Sequence, residues 1–135
     1  MADREYMFKE ITIIQDIIKR MASNSFMLKG WTLTLVIVTL LLKGTKYQVL
    51  IAFIPLLVFW VLDAYFLWLE RLYRKLYNWV INNRLTSDDF LLDMNINRFK
   101  TEVQCIFRIM FSITLGLFYG SITVLLIIYS IILLK

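Results

Sequence analysis

The sequence predicts an all-α integral membrane protein that folds as a single membrane domain over residues 1–135. Three observations support this fold class. Hydrophobic residues make up 60% of the chain, well above the roughly 45–50% that is usual in soluble domains. One proline and four glycines leave few positions at which a helix would be interrupted. Three apolar runs are predicted to cross a bilayer as helices. Two are long enough for its ~30 Å hydrocarbon core, and the first reaches about 25 Å, enough for a short span with its ends in the headgroups.

An N-terminal amphipathic helix is predicted over residues 5–22, before the first apolar run. Its apolar residues follow one another at alternating spacings of four and three, as one face of a helix requires. This apolar stripe consists of Met7, Ile11, Ile14, Ile18 and Met21. The polar residues 23–25 are of the types that cap helices, which predicts a bend or short break before the next helix.

The next two apolar runs predict a helical hairpin, with span one over residues 26–42 and span two over residues 47–69. The loop between them, residues 43–46, is too short for anything other than an antiparallel return. Beyond span two the helical spacing of apolar residues continues while the positions between them become charged. Span two is therefore predicted to extend into the cytoplasm as a helix over residues 70–84.

The N-terminal stripe and the extension of span two are predicted to pack together as a pair of cytoplasmic helices. The contacting residues are Ile11, Ile14 and Ile18 on one helix and Leu69, Leu72 and Leu76 on the other, with Met7 and Trp79 continuing the two stripes. An alternative is that the N-terminal stripe lies flat on anionic lipid. Either arrangement removes the stripe from water.

A cytoplasmic loop and an amphipathic segment are predicted over residues 85–110, and span three over residues 111–134. Within span three, Ser112, Gly116 and Gly120 recur every four residues. Small residues at this spacing allow another helix backbone to approach closely, so they predict a helix-packing face. The partner is expected to be a second copy of the chain in a homo-oligomer, and span one or two of the same chain is the alternative.

The distribution of Lys and Arg predicts the orientation of the chain in the cytoplasmic (inner) membrane. Five of these residues lie in residues 1–30 and seven in residues 70–110, against two in the 43–46 loop and Lys135 at the end. Segments rich in Lys and Arg are retained on the cytoplasmic side. The N-terminus is therefore predicted to be cytoplasmic and the C-terminus external.

Lys29 and Asp63 are predicted to form an intramembrane ion pair. Asp63 is the one acid within an apolar run, where an uncompensated charge costs about 2.5–3.5 kcal/mol. Counted from the turn of the hairpin, both residues lie at a depth of about 21–23 Å. A role in an ion or proton pathway and exposure of both residues to the headgroups are the alternatives.

The composition argues against catalysis. The chain has no His and a single Cys, which excludes imidazole metal sites and the Ser-His-Asp and Cys-His catalytic arrangements. The acidic residues between 88 and 93 lack the ligand spacing and the glycine of a Ca²⁺ loop. We therefore expect no enzymatic activity, catalytic residue, cofactor or metal site. The net charge of +5 is assigned to membrane topology, and no nucleic acid partner is expected.

Several short elements resemble those of a family of small bacterial multi-pass membrane proteins without an assigned activity. The elements are Leu28-Lys29-Gly30-Trp31 and Leu62-Asp63-Ala64-Tyr65, followed by Asp89-Phe90-Leu91-Leu92-Asp93 and Phe118-Tyr119-Gly120. In that family the first two elements occur together, which agrees with the predicted ion pair. The overall plan is also similar to that of small membrane effectors of bacterial anti-phage defence. This similarity is one of architecture and implies no active residue.

Two functions follow as expectations. The first is an oligomeric bacterial membrane effector that disrupts or depolarises the membrane when triggered, in anti-phage defence, with the lipid bilayer and further copies of the chain as partners. The alternative is a non-enzymatic membrane anchor or regulatory subunit that docks or senses a soluble cytoplasmic protein. The effector requires a path for ions, whereas the anchor requires only a docking face on residues 1–22 or 70–100.

Overall fold

The computed structural model describes residues 2–42 and 47–134, with the side chains of residues 4–42 and 47–132. The helices are α1 (Ala2–Leu41), α2 (Gln48–Asn83), α3 (Ile106–Met110) and α4 (Ile113–Leu134), and a 3-10 helix, Ile96–Glu102, precedes α3. No strand occurs among the described residues. Three of the helices, α1, α2 and α4, are long and apolar enough to cross a membrane. The predicted all-α class with three candidate spans is confirmed.

The first helix, α1, is continuous over 40 residues. The break predicted at residues 23–25 is therefore wrong, and the predicted segments 5–22 and 26–42 belong to one helix about 60 Å long. The Ser25 hydroxyl donates to the Asp63 carboxylate on α2 rather than capping a new helix. Contacts with α2 on both sides of residues 23–25, at Glu10 and at Lys29, stabilise the helical backbone where the local sequence favours a cap.

Helix α2 joins the predicted segments 47–69 and 70–84 into a single helix. It returns antiparallel to α1, because Asp63 contacts Lys29 and Arg84 contacts Glu10. The turn itself, residues 43–46, lies outside the described residues. Every fourth residue of α2 from position 52 to 80 is buried or half-buried, which is the ridge by which two helices pack. These residues are Ala52, Leu56, Trp60, Ala64, Trp68, Leu72, Leu76 and Val80.

Helix α4 begins at Ile113, two residues after the predicted start of span three. Helix α3 ends at Met110, so the backbone turns between the two helices. The Trp60 indole nitrogen donates to the Met110 carbonyl at 3.0 Å. This contact satisfies the carbonyl group that a continuous helix would pair with a backbone amide in the next turn.

The buried apolar residues form two cores. The first joins α1, α2, α3 and α4 and contains Val36, Val49, Ala52, Leu56, Ala64, Ile109, Leu115, Tyr119, Ile122 and Leu126. The second contains Ile14, Leu72, Leu76, Val80 and Phe99, with Met7, Ile11, Ile18 and Trp79 packed against it. The structure thus brings together the two predicted stripes. Leu69 is the exception, because it lies one position off the four-residue ridge and is only half-buried.

Exposed large apolar side chains fall into two zones. The first zone, the apolar belt, runs from Phe26 to Tyr65 and from Phe107 to Ile132. Residues 14–25, 66–80 and 93–106 expose no large apolar side chain and carry many charges, so we call them the charged band. The second zone lies beyond this band. Its members are Tyr6, Phe8, Ile13, Ile81, Leu85, Phe90, Leu91 and Leu92, which we call the distal apolar zone.

Candidate functional site

The predicted partners Lys29 and Asp63 are in direct contact. Lys29 Nζ lies 2.6 Å from Asp63 Oδ2, and the Asp63 side chain is completely buried while that of Lys29 is 22% exposed. Lys29 lies three residues into the belt that begins at Phe26, so its ammonium group is near one edge of the apolar zone. A lysine at this position extends its charged end toward the headgroups while its carbon chain remains in the apolar layer.

Two hydroxyl groups complete the shell of Asp63. The Ser25 hydroxyl donates to Asp63 Oδ1 and itself accepts from Lys29 Nζ at 2.8 Å. The Tyr119 hydroxyl donates to Asp63 Oδ2 at 3.0 Å. Asp63 is therefore bound by donors from α1 and α4, and three helices meet at one carboxylate. We call Ser25, Lys29, Asp63 and Tyr119 the Asp63 cluster.

The sequence predicted Lys29 and Asp63 but not the other two members of this cluster. Ser25 precedes Lys29 by four residues, which places both side chains on the same face of α1, and this spacing was an available signal. Tyr119 is positioned by tertiary packing, since its ring stacks on Trp60 with centroids 5.6 Å apart. Periodicity alone does not indicate which α4 residue faces Asp63.

The Asp63 cluster is suited to joining helices. One cation and one anion neutralise each other, and the hydrogen bonds occupy both carboxylate oxygens. The residues that the structure describes contain no group of three or more His, Cys, Asp or Glu that could hold a metal ion. The geometry is that of an ion pair that fastens α1 and α4 to α2.

The small-residue face of α4 is not the face that packs inside the chain. Helix α4 contributes Leu115, Tyr119, Ile122 and Leu126 to the core, whereas Ser112, Gly116 and Gly120 flank this stripe. A Cβ atom placed on Gly120 would meet nothing within 4 Å, and one on Gly116 would meet only the Phe111 backbone at 3.6 Å. No helix within the described residues fills the face at Gly120.

A second ion pair, which the sequence analysis missed, joins the other ends of α1 and α2. Arg84 forms a bidentate contact with Glu10, with Nε 2.6 Å from Oε2 and Nη2 2.9 Å from Oε1. Both side chains are 1% exposed. Bidentate contacts of this kind are among the strongest charge-assisted hydrogen bonds. The pair lies outside the apolar belt, in residues 4–25 and 66–105, to which we give the name extramembrane layer.

The chain after α2 wraps around Arg84. Its guanidinium group also donates to the backbone carbonyls of Ser87, Asp89 and Phe90, and the Leu92 amide donates to Glu10 Oε1 at 2.6 Å. All five N–H donors of Arg84 are thereby engaged. Phe90 and Leu92 both have φ of 57°, a conformation that side chains with a Cβ rarely adopt. We call Glu10, Arg84 and the loop 85–92 the Arg84 clamp.

A second arginine, Arg98, is held by aromatic rings. Its guanidinium carbon lies 4.5 Å from the centroid of Trp79, 4.4 Å from that of Phe90 and 5.0 Å from that of Phe99. Cations over ring faces are attracted by the negative face of the π system. Arg98 therefore attaches the 3-10 helix to α2 and to the loop of the Arg84 clamp.

Comparisons with known proteins find no family whose pattern matches this chain, no similar curated protein and no similar solved structure. The resemblance to small bacterial multi-pass membrane proteins is not tested by these comparisons and stays a prediction.

Proposed function

We propose that this chain is a non-enzymatic, multi-pass protein of the bacterial cytoplasmic membrane that docks a soluble cytoplasmic protein through its extramembrane layer. Twelve of its fifteen Lys and Arg residues lie in residues 1–30 and 70–110, which favours a cytoplasmic N-terminus and an external C-terminus. The observation that carries the proposal is an exposed apolar groove at the end of the extramembrane layer that is farthest from the apolar belt.

This distal groove lies between α1 and the loop of the Arg84 clamp. It has a volume of about 550 Å³ and is lined by Glu5, Phe8, Lys9, Thr12, Ile13 and Leu92. Phe8 is 62% exposed, Ile13 43% and Leu92 48%. Exposed apolar residues are ordinary when scattered singly, but a contiguous group indicates a binding surface.

Lipid does not account for the exposure of this groove. Phe8 precedes Phe26 by 18 residues of continuous helix, which is about 27 Å at 1.5 Å per residue. The headgroup region adds only about 5–8 Å to each side of the hydrocarbon core. The charged band lies between the groove and the belt, so a protein surface is the natural cover for Phe8, Ile13 and Leu92.

The rim of the groove is charged. Lys9 Nζ lies 2.8 Å from Glu5 Oε1, and the hydrogen bond from Lys9 together with its positive charge lowers the pKa of Glu5. The same contact raises the pKa of Lys9, so both groups are ionised at neutral pH. An apolar centre with a charged rim is the usual composition of a protein interface, and such a surface can receive the apolar face of a partner helix.

The proposal is tested by placing a photo-crosslinking amino acid at position 8, 92 or 82 of the full-length chain in the producing bacterium. We expect one soluble protein to be cross-linked from positions 8 and 92 but not from the exposed position 82. Phe8→Asp should abolish the cross-link from position 92, whereas Asn82→Asp, which adds the same charge outside the groove, should not. Equal cross-linking from all three positions, or cross-links to lipid alone, would contradict docking.

An oligomeric effector that depolarises the membrane in anti-phage defence is the second candidate, and the open face at Gly120 favours it. A Cβ atom at Gly120 would meet nothing within 4 Å, so this face can admit a helix of another copy. Gly120→Leu should then reduce oligomer mass in nanodiscs and prevent loss of membrane potential on expression. Ser121→Leu, on an exposed neighbouring position, is the control. A monomer at all concentrations, with an unchanged potential, would remove this candidate.

A further inference from the structure

The charged band contains two adjoining grooves that share residues of α2. The first, of about 470 Å³, is lined by Gln15, Ile18, Lys19, Arg74, Tyr77 and Asn78. The second, of about 260 Å³, is lined by Arg71, Arg74, Lys75, Asn78, Glu102, Val103 and Gln104. Arg74 and Asn78 line both, so the two grooves form one surface across α2.

Hydrogen-bond donors and positive charge dominate this surface. The residues that line the first groove include two cations, Lys19 and Arg74, and no acid. The amides of Gln15 and Asn78 and the hydroxyl of Tyr77 add neutral donors. This combination of cations and neutral donors is complementary to phosphate oxygens.

The acidic neighbours leave donors available to a ligand. Glu70 contacts Arg74 through Nε and Nη2, which are two of the three guanidinium nitrogens. Glu102, the one acid that lines the second groove, lies 3.3 Å from Lys75. The Arg74 side chain is 62% exposed and that of Lys75 44% exposed. The surface therefore keeps a net positive charge together with accessible cationic groups.

The grooves lie just beyond the lipid headgroups, close enough for long basic side chains to reach them. Lys19 precedes Phe26, the first residue of the belt, by seven positions of α1, or about 10 Å. Arg74 follows Tyr65, where the belt ends on α2, by nine positions, or about 13 Å. The headgroup layer is about 5–8 Å thick, and long basic side chains reach several ångströms toward it.

We propose that the two grooves bind the phosphate groups of an anionic phospholipid. Lys19 and Arg74 contact one phosphate in the first groove, with Gln15, Tyr77 and Asn78 hydrogen-bonding its oxygens or the neighbouring hydroxyl groups. Arg71 and Lys75 provide a second cationic position in the adjoining groove. A lipid with two phosphates, such as cardiolipin, matches this pair of positions better than a lipid with one. The site is separate from the distal groove and does not depend on the proposed docking function.

The test uses the full-length chain in nanodiscs of phosphatidylcholine with a small fraction of cardiolipin or phosphatidylglycerol, followed by mass measurement of the retained lipid. We expect retention of cardiolipin to exceed that of phosphatidylglycerol. Lys19→Gln with Arg74→Gln should weaken cardiolipin binding about 100-fold, because each change removes a direct charge-assisted hydrogen bond to a phosphate, which contributes roughly 10-fold or more. Lys19→Arg with Arg74→Lys should retain most of the binding.

The matched control is Arg20→Gln with Lys100→Gln. These residues are exposed in the same charged band but line neither groove, and the change in net charge is identical. The control should weaken binding less than about 3-fold. Equal losses in both double variants would show general attraction to the membrane and overturn the site. The chain should not bind inorganic phosphate or ATP in pure phosphatidylcholine nanodiscs. If it does, and Lys19→Gln with Arg74→Gln abolishes that binding, the grooves bind a soluble phosphate compound and the lipid proposal is wrong.

Discussion

The Asp63 cluster and the Arg84 clamp both join α1 to α2 by a buried ion pair, but they are built from different partners. Asp63 is surrounded by side chains of regular helices, namely Ser25, Lys29 and Tyr119. Arg84 is surrounded by one carboxylate and by backbone carbonyls of the loop 85–92. The first arrangement therefore holds helices together, whereas the second also determines the path of an irregular segment.

The two pairs also differ in access to water. Lys29 retains 22% exposure, so its ammonium group can move toward the headgroups when its partner is lost. Glu10 and Arg84 are both 1% exposed, so neither can reach water without opening the loop. Removing one partner from a fully buried pair leaves an uncompensated charge, which costs more than the pair contributed. The Arg84 clamp should therefore be the more sensitive of the two.

Arg84→Gln should cause the largest decrease in the free energy of unfolding. Glu10 would remain buried without its bidentate partner, and the carbonyls that hold the loop would lose their donors, for a cost of about 3–5 kcal/mol. Chemical denaturation in detergent should show this decrease, and limited proteolysis should cleave the 85–92 segment faster. Arg20→Gln, an exposed arginine on α1, is the control. A protease-resistant loop in Arg84→Gln would contradict the clamp.

Asp63→Asn should have a smaller effect, about 1–3 kcal/mol. The asparagine oxygen can still accept from one of the two hydroxyl groups, its NH2 group can donate to the other, and Lys29 can shift toward the headgroups. The double variant with Lys29→Gln should be destabilised by less than the sum of the two single changes, because their interaction is lost only once. Denaturation of the parent, the two single variants and the double variant gives the interaction free energy of Lys29 and Asp63. Additive losses would show that the two residues do not interact energetically.

Tyr119→Phe should lower the free energy of unfolding by less than Asp63→Asn does. It removes one hydroxyl donor to Asp63 Oδ2 but keeps the stacking on Trp60, and hydrogen bonds between membrane helices contribute about 0.6 kcal/mol and at most about 1.7. The same denaturation assay applies. Tyr129→Phe, which removes an exposed hydroxyl group from the same helix, should change stability less. An equal loss in both variants would remove Tyr119 from the Asp63 cluster.

Glu102→Gln should have the smallest effect, and it provides the exposed reference for both buried pairs. Lys75 and Glu102 are 3.3 Å apart with side chains 44% and 51% exposed. Exposed pairs of this kind contribute about 0–1 kcal/mol and less at high salt. The free energies of unfolding of this variant and of the parent protein, measured by denaturation, should differ less at high salt than at low salt. A loss comparable to that of Asp63→Asn would mean that burial does not determine the ranking.

Elements whose evidence is local in the sequence were predicted well. The long apolar runs predict helices that can cross a membrane, because no water is available to satisfy a backbone that is not helical. The alternating spacing of Ile11, Ile14 and Ile18 indicates the face that meets Leu72 and Leu76. Lys29 and Asp63 were paired from depth alone, since an isolated charge in an apolar run requires a partner.

Elements that depend on long-range packing were missed or misplaced. Glu10 and Arg84 are 74 positions apart and each resembles an ordinary charged residue near a helix end, so no spacing connects them. The polar residues 23–25 favour a cap locally, but packing along α2 keeps α1 continuous. The Trp60 indole donates to the Met110 carbonyl at the turn between α3 and α4, a contact that no spacing in the sequence indicates.

The sequence by itself determined the helical class, the apolar spans, the amphipathic stripes and the need for Asp63 to have a partner. Each of these follows from periodicity and from the cost of placing charge in lipid, which act over a few helical turns. Only the tertiary structure decided which face of α4 packs and which charges the loop 85–92 encloses. It also decided that Phe8, Ile13 and Leu92 form a groove beyond the charged band. Those features depend on the positions of several helices and a loop relative to one another, and local spacing carries no information about them.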